Sequence, residues 1–519
     1  MPEKAARHDS DVTRKTSIAL LLAGLALYVL VGVHFLNFAP DDVYITLRYA
    51  ANVAAGQGPV YNVGERVEGY SNPLFLALLA LLQPLLASPR NMVLAAKLIG
   101  LIAGLLAVAA AAALARRDPE GSPYWGLAPL LVGLGGYLAF WSASGLETGL
   151  HALLVVVAVG GYIRALETGR CAWRALCGLL FALVALSRPE GAVFLVAAVI
   201  ARALLLLRDR RGPDAADGAF LVLAIAPIVA HFVWRHSYYG VWWPNTFYAK
   251  AGGGWSTWTD GARYLLLAVG PACWGSAILL PVLALGLAPW RKATPRTLVL
   301  WLAVLAQAGF IIVAGGDWMP GWRFIAPVAP LLALLAPGAV ARLLDVLHRR
   351  RLVEQFGGWI KWLPLALIIL VMASHLYSVK QLSHQPSGWR GLDDAQMFAA
   401  PYKRAADWLA QQARPGDWLA TGEAGLIPYL TGLPTIDCFG LTDAHLARVP
   451  GKRHEKVDPD YILGRKPRFL LIGGAHPGVD GPTSDFAYGR SLLVRASDYQ
   501  VVYQRDSFVI LERRANVAN

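Results

Sequence analysis

Apolar runs of about 20 residues, enough to cross a hydrocarbon core about 30 Å thick, recur from Thr16 almost to Val379. Short polar breaks separate them, and Lys and Arg fill alternate breaks. Arg164, Arg170 and Arg174 share one break, Arg202, Arg208, Arg210 and Arg211 another. Arg291, Lys292 and Arg296 form a third, and Arg349, Arg350, Arg351 and Lys361 a fourth. Lys4, Arg7, Arg14 and Lys15 precede the first run. Basic residues are retained on the cytoplasmic side, so this alternation predicts about eleven crossings with the N-terminus inside. Parity is kept if Pro73–Ala87 lies obliquely near the outer surface and only Asn91–Ala115 crosses. A final helix from Trp362 to Val379 then delivers the C-terminus outside.

The pattern changes after Lys380. Ala406, Leu409 and Ala413 form one stripe of a helix over Tyr402–Ala413. Short β-like runs follow at Trp418–Thr421, Thr435–Phe439, Phe469–Ile472, Val501–Gln504 and Phe508–Leu511, separated by Pro, Gly and Asp. The expected architecture is a polytopic α-helical membrane domain over residues 1–379, with a soluble α/β domain on the outer face over residues 380–519.

Composition agrees with that reading: 56% of the 519 residues are hydrophobic and 16% charged, and mean hydropathy is +0.46. The net charge of +13 follows from the inner loops, so nucleic acid is not expected as a partner. Cys171, Cys177, Cys273 and Cys438 give neither a disulfide framework nor zinc spacing. Ser17–Leu36 is too long for a signal-peptide core and is expected to remain as the first helix.

Candidate chemistry gathers in the first outer loop, Asn37–Pro73, the most polar segment of the N-terminal three quarters. It opens on Asp41 and Asp42. Adjacent carboxylates can share a proton, bind a divalent cation such as Mg, Mn or Ca, or act as a general base and its orienter. Pro40-Asp41 is equally a helix start signal, for which one Asp suffices. Glu65, Arg66, Glu68, Tyr70 and Asn72 close the loop with groups suited to sugar hydroxyls, or with an ordinary solvated turn.

Four blocks, DDVYITLRYAANVAAGQGPVYNVGERVEGYSNPLF, WWPNTFYAKAG, GGDWMPGWRFIAPVAPLL and GEAGLIPYLTGLPTIDCFGLTDAHLAR, resemble one group of GT-C membrane glycosyltransferases. That group includes the mycobacterial terminal β-(1→2)-arabinofuranosyltransferase. The resemblance implies a polyprenyl-phosphate sugar donor, a glycan, lipid or protein acceptor, and a site on the outer face of the bacterial inner membrane. It gives the catalytic role to Asp41 or Asp42. Cations near the donor phosphate would come from Arg323, Lys250, Arg188 or Arg66. At span ends such residues also snorkel to lipid headgroups, and Arg188 can simply pair with Glu190. Sugar or acceptor contacts are expected from Glu65, Glu68, Tyr70, Asn72, Asn245, Tyr248, Asp317 and Glu423. Asp317 is alternatively a brace for Arg323, Glu147 is a weaker relative of it, and His34 and His231 read as satisfied helix residues. Trp242, Trp243 and Tyr248 could stack on sugar, although interfacial aromatic belts need no ligand. Glu423, Tyr429, Asp437 and Asp443 lie at predicted strand ends, as contacts or as turn residues.

Arabinofuranose is the leading sugar. The competing readings are protein mannosyl or lipid A aminoarabinose transfer, a flippase or transporter for a lipid-linked sugar, and an envelope scaffold.

Overall fold

A computed structural model describes residues 2–86, 88–118, 124–250, 254–269, 294–319, 321–349, 391–451, 455–478 and 481–514. The expected final helix Trp362–Val379 lies outside these residues, as do Arg291 and Lys292 of the third basic break and Arg350, Arg351 and Lys361 of the fourth. Residues form two compact units: Met1–Asn37, Lys97–Val229 and Trp255–Leu392 make the first, and Phe38–Ala96, Ala230–Gly254 and Asp393–Asn519 the second. The second unit thus unites the first loop and the WWPNTFYAK block with the C-terminal residues, a grouping that differs from a division at 379/380.

Among the described residues six helices are long and apolar enough to span a membrane: Arg14–His34, Pro89–Arg116, Thr148–Thr168, Pro189–Asp209, Ala215–Tyr239 and Pro295–Ala314. Shorter apolar helices occupy Pro73–Leu85, Cys171–Ser187 and Ala329–Arg342. At 1.5 Å per residue Pro73–Leu85 falls short of the hydrocarbon thickness.

Lipid offers no hydrophobic drive for helices to associate, so close backbone approach has to supply it. In the first unit, a β-carbon at Gly24 would stand 2.4 Å from the Pro129 carbonyl oxygen, and one at Gly149 2.2 Å from that of Gly100. These glycines let helix Pro2–His34 pack on Leu127–Gly135, and Thr148–Thr168 on Pro89–Arg116.

The second unit carries the strands β1 (Leu419–Thr421), β2 (Thr435–Asp437), β3 (Phe469–Ile472), β4 (Ala475–Gly478), β5 (Gly481–Ser484), β6 (Tyr499–Arg505) and β7 (Phe508–Arg513). Among the described residues they form a five-stranded sheet in the order β2-β1-β3-β7-β6 and a separate β4-β5 ribbon. Pairing is parallel across β2-β1-β3 and antiparallel across β3-β7-β6. All five expected β-runs are strands of this sheet. Strand periodicity sorts their side chains onto two faces. Leu470, Ile472, Val509 and Leu511 pack with Tyr488 and Leu492. Phe469, Leu471, Phe508 and Ile510 pack with Ala405, Ala406 and Leu409 of helix Gly391–Gln412. Ala413 joins the second cluster, so the expected helical stripe is the one that meets the sheet.

Candidate active site

From β1 the chain turns to its neighbour β2, then returns past β1 to β3 on the other side. The carboxyl ends of β1 and β3 therefore border a topological switch point, where parallel sheets open a crevice. The turn after β1, Thr421–Leu426, lies there. A β-carbon on Gly473, just past β3, would stand 2.4 Å from Glu423 Oε1.

Asp41 meets this turn. It precedes helix Asp42–Ala54, but its side chain makes no capping bond to that helix. Instead Oδ2 accepts the backbone N–H of Gly425 and Oδ1 that of Leu426, both at 2.7 Å. The carboxylate thus caps helix Leu426–Thr431, an arrangement neither sequence reading of Asp41 contained. Gly425 has to be glycine for this approach, since a β-carbon would fall 2.0 Å from the Asp41 carbonyl oxygen. Burial, then the Glu423 charge, raises the Asp41 carboxyl above the ordinary carboxylate range, against its two N–H donors. Glu423 is raised too, chiefly by burial, while the Tyr402 hydroxyl, donating to Oε2 at 2.7 Å, opposes this. Asp42 is half-buried and makes no hydrogen bond or ion pair to the described residues. The structure therefore assembles Asp41, Asp42 and Glu423, with one carboxylate bound at both oxygens and its neighbour uncommitted.

Other residues of the first loop hold it to the C-terminal residues. Buried Arg48 donates to the carbonyls of Tyr61, Pro428 and Leu433 and to Asn62 Oδ1, with its guanidinium 4.3 Å from the Tyr61 ring centroid. The Tyr61 hydroxyl donates to the Ala424 carbonyl at 2.5 Å. Glu65 accepts from Asn62 and pairs with Arg465 at 2.6 Å. Glu68 is buried against Arg235 at 2.6 Å, and burial pushes its carboxyl up to about 7 despite that cation. Tyr70 is buried 3.2 Å from the Tyr239 hydroxyl. Asn72 is buried beside Thr46 and precedes helix Pro73–Leu82.

The WWPNTFYAK block docks on the GLTDAHLAR block. Asn245 donates to the carbonyls of Gly440, Leu441 and Asp443 and accepts from Arg448, whose guanidinium lies 4.3 Å from the Tyr248 ring centroid. Lys456 donates to the carbonyls of Tyr248 and Ala447. Asp437 accepts three bonds from Phe439 and Thr442, the work of a turn residue. Glu68 Oε2, Asn245 and Asp437 thus spend their polar atoms inside the fold, and Glu68 Oε1 is buried with no hydrogen-bond partner among the described residues. Lys250 is exposed at the end of helix Asn245–Lys250. Arg66 is exposed over the Tyr238 ring and has no ion-pair partner among the described residues.

A separate polar cluster occupies the first unit. Arg188 pairs with Glu147 and Glu190. Arg323 forks onto Asp317 at 2.6 and 3.1 Å. Both guanidiniums lie within 6 Å of the Phe324 ring centroid, at 5.8 and 5.6 Å. Both arginines therefore already have carboxylate partners, as the bracing alternatives would have it.

Among the described residues no group of three or more His, Cys, Asp and Glu side chains is arranged to hold a metal ion. Sequence reasoning missed Arg48, Tyr61, Tyr402 and Gly425; only the paired glycines of GEAG hinted at a close backbone approach.

Residues 390–517 match the family model described as a domain of unknown function, DUF8728. The terminal β-(1→2)-arabinofuranosyltransferase of Corynebacterium glutamicum is 26% identical over 422 residues, 72% of this chain and 57% of the relative. The chain therefore spans little more than half of that protein's length. Crystal structures of ArnT from Cupriavidus metallidurans align over nearly the whole chain. The one bound to undecaprenyl phosphate has a TM-score of 0.57 at 15% identity, covering 96% of this chain and 98% of ArnT. The apo structure has a TM-score of 0.57 at 16% identity, covering 97% and 99%. Together with the apolar helices and the strand-containing C-terminal domain, these likenesses make the chain a multi-pass membrane protein with the GT-C glycosyltransferase fold, similar in sequence to the terminal β-(1→2)-arabinofuranosyltransferase.

Proposed function

We propose that the protein is a membrane glycosyltransferase. It moves arabinofuranose from a polyprenyl-phosphate donor to a cell-envelope glycan, lipid or protein acceptor at the outer face of the bacterial inner membrane. The observation that carries this reading is the difference between two adjacent carboxylates: Asp41 is held at both oxygens by Gly425 and Leu426, and the Asp42 side chain has no hydrogen-bond or ion-pair partner among the described residues. A general base has to be positioned and yet open to the proton it takes. In this reading Asp42 is the base and Asp41 fixes the backbone that carries it. The acceptor hydroxyl attacks the anomeric carbon, its proton passes to Asp42, and the bond from that carbon to phosphate breaks with its electron pair leaving on the polyprenyl phosphate. A positioned base contributes about 10² to 10⁴-fold to such a step.

The relative's name supports the sugar, and the lipid in one ArnT structure supports the class of donor carrier. The basic residues that alternate along the sequence support the outward orientation of the first loop. Arg66, with no carboxylate partner among the described residues, has its charge available to a phosphate. Arg188 and Arg323 would first have to give up a carboxylate.

The test is to incubate purified protein with radiolabelled polyprenyl-phosphate arabinofuranose, mannose and aminoarabinose in separate reactions. Transfer or hydrolysis of arabinofuranose is expected. Turnover of another sugar alone would reassign the donor, and movement of labelled lipid across vesicles with no release of sugar would replace the transferase by a flippase.

A further inference from the structure

We propose that Glu423, in the C-terminal domain, is a positioning residue for the Asp41–Asp42 pair, acting through the Thr421–Leu426 turn. The inference rests on the transferase reading and adds to it an element from outside the first loop.

Each segment of the turn is held separately. The Glu423 N–H donates to Thr421 Oγ1 at 3.0 Å, and its carboxylate receives Tyr402 Oη at 2.7 Å. The other carboxylate oxygen lies over Gly473, where a β-carbon would be 2.4 Å away. The Ala424 carbonyl receives Tyr61 Oη from the first loop. The next two N–H groups, of Gly425 and Leu426, are the ones that hold Asp41. Helix Gly391–Gln412, through Tyr402, thus holds Glu423, whose other oxygen lies against the end of β3 at Gly473. Glu423 in turn fixes the two amides that aim Asp41, and Asp41 is covalently joined to the proposed base. Displacing a reacting group by about 1 Å can cost about 10²-fold in rate, so this chain of contacts has kinetic weight.

The conservative replacement is informative because a glutamine oxygen still accepts from Tyr402, whereas alanine removes the contact. Full-length wild type, Glu423→Ala, Glu423→Gln and Tyr402→Phe are compared by steady-state kinetics and by amide hydrogen exchange at Gly425 and Leu426. For Glu423→Ala we expect kcat to fall on the order of tenfold to a hundredfold, KM for the lipid donor to stay within about twofold, and exchange at both amides to rise. Glu423→Gln should recover most of kcat and the protection, with Tyr402→Phe in between. Unchanged protection in Glu423→Ala overturns the proposal, whatever its activity, and so does a rise in KM with kcat intact, which would make Glu423 a substrate contact. A wild-type protein that transfers no sugar would sink the transferase reading, while the exchange data would still decide whether Glu423 positions Asp41.

Discussion

Asp41 and Gly425 lie 384 residues apart in the chain and meet at 2.7 Å, carboxylate oxygen to backbone nitrogen. A carboxylate at the N-terminus of a helix satisfies donors that have no partner within the helix. Here the helix is remote in sequence, so the contact fastens the first loop to the C-terminal residues.

Gly425→Ala should break this fastening. The added carbon would stand 2.0 Å from the Asp41 carbonyl oxygen and 2.4 Å from its carboxyl carbon, so the turn has to move. Overpacking of this kind costs about 1 to 3 kcal/mol. Thermal unfolding should register that loss, and sugar transfer should fall with it. Gly464→Ala, with nothing within 4 Å of the new carbon, should unfold like wild type to within about 0.5 kcal/mol.

Arg48 is the larger structural commitment. Its guanidinium serves the carbonyls of Tyr61, Pro428 and Leu433. Arg48→Met removes a buried charged donor from acceptors that each keep one other donor, Asn52 on Tyr61, Gly432 on Pro428 and Thr435 on Leu433, and should cost about 1.5 to 3 kcal/mol. Arg48→Lys should recover only part of it, because an ammonium cannot reproduce the planar fork. A lysine variant as stable as wild type would remove the fork from the explanation.

The Glu68–Arg235 pair is buried on both sides, with side-chain exposures of 0% and 7%. Truncating either partner strands a charge and should cost about 3 to 5 kcal/mol, and truncating both should cost less than the sum. A double-mutant cycle read by thermal unfolding gives the coupling. Strict additivity would mean that the two side chains do not depend on each other.

Asp41 and Glu423 also give the protein a proton-linked stability. Both carboxyls are raised in the folded state, first by burial, so the native chain retains protons that the unfolded chain releases near pH 4. Linkage then makes their contribution greatest at low pH and lost as pH climbs from about 4 through the raised values. Glu423→Gln removes one of the two charges. Its melting temperature relative to wild type should therefore rise with pH, and a difference that stays flat or falls would contradict the shared burial of the pair.

How far the sequence reveals this protein varies by element. The five sheet strands and the stripe of Ala406 and Leu409 are legible because periodicity of apolar side chains is a local signal. The ribbon Ala475–Ser484 is not, since AHPGVDGPTS has no apolar alternation. The six spanning helices follow from length and hydropathy, as does the short Pro73–Leu85. The aspartate pair stands out for its place after an apolar run. Its true partners do not, because nothing near Asp41 in sequence points to Gly425 and Leu426. The same holds for Asn245: the WWPNTFYAK and GLTDAHLAR blocks are each recognisable, but their docking on one another is a tertiary fact. For Glu68 the sequence suggests a sugar contact, and folding spends its carboxylate on Arg235.

The central claim is that Asp42 takes the acceptor's proton while Asp41 holds the loop. It is tested most directly by the rate of radiolabelled sugar transfer in Asp42→Asn, measured beside its melting temperature. Asp42 has no hydrogen-bond partner among the described residues, so the account predicts stability near wild type and transfer reduced by about 10²-fold or more. Asp41→Asn, whose amide turns an N–H donor toward a backbone N–H, should lose both. Transfer at close to the normal rate by Asp42→Asn would contradict the account and send the search for the base elsewhere.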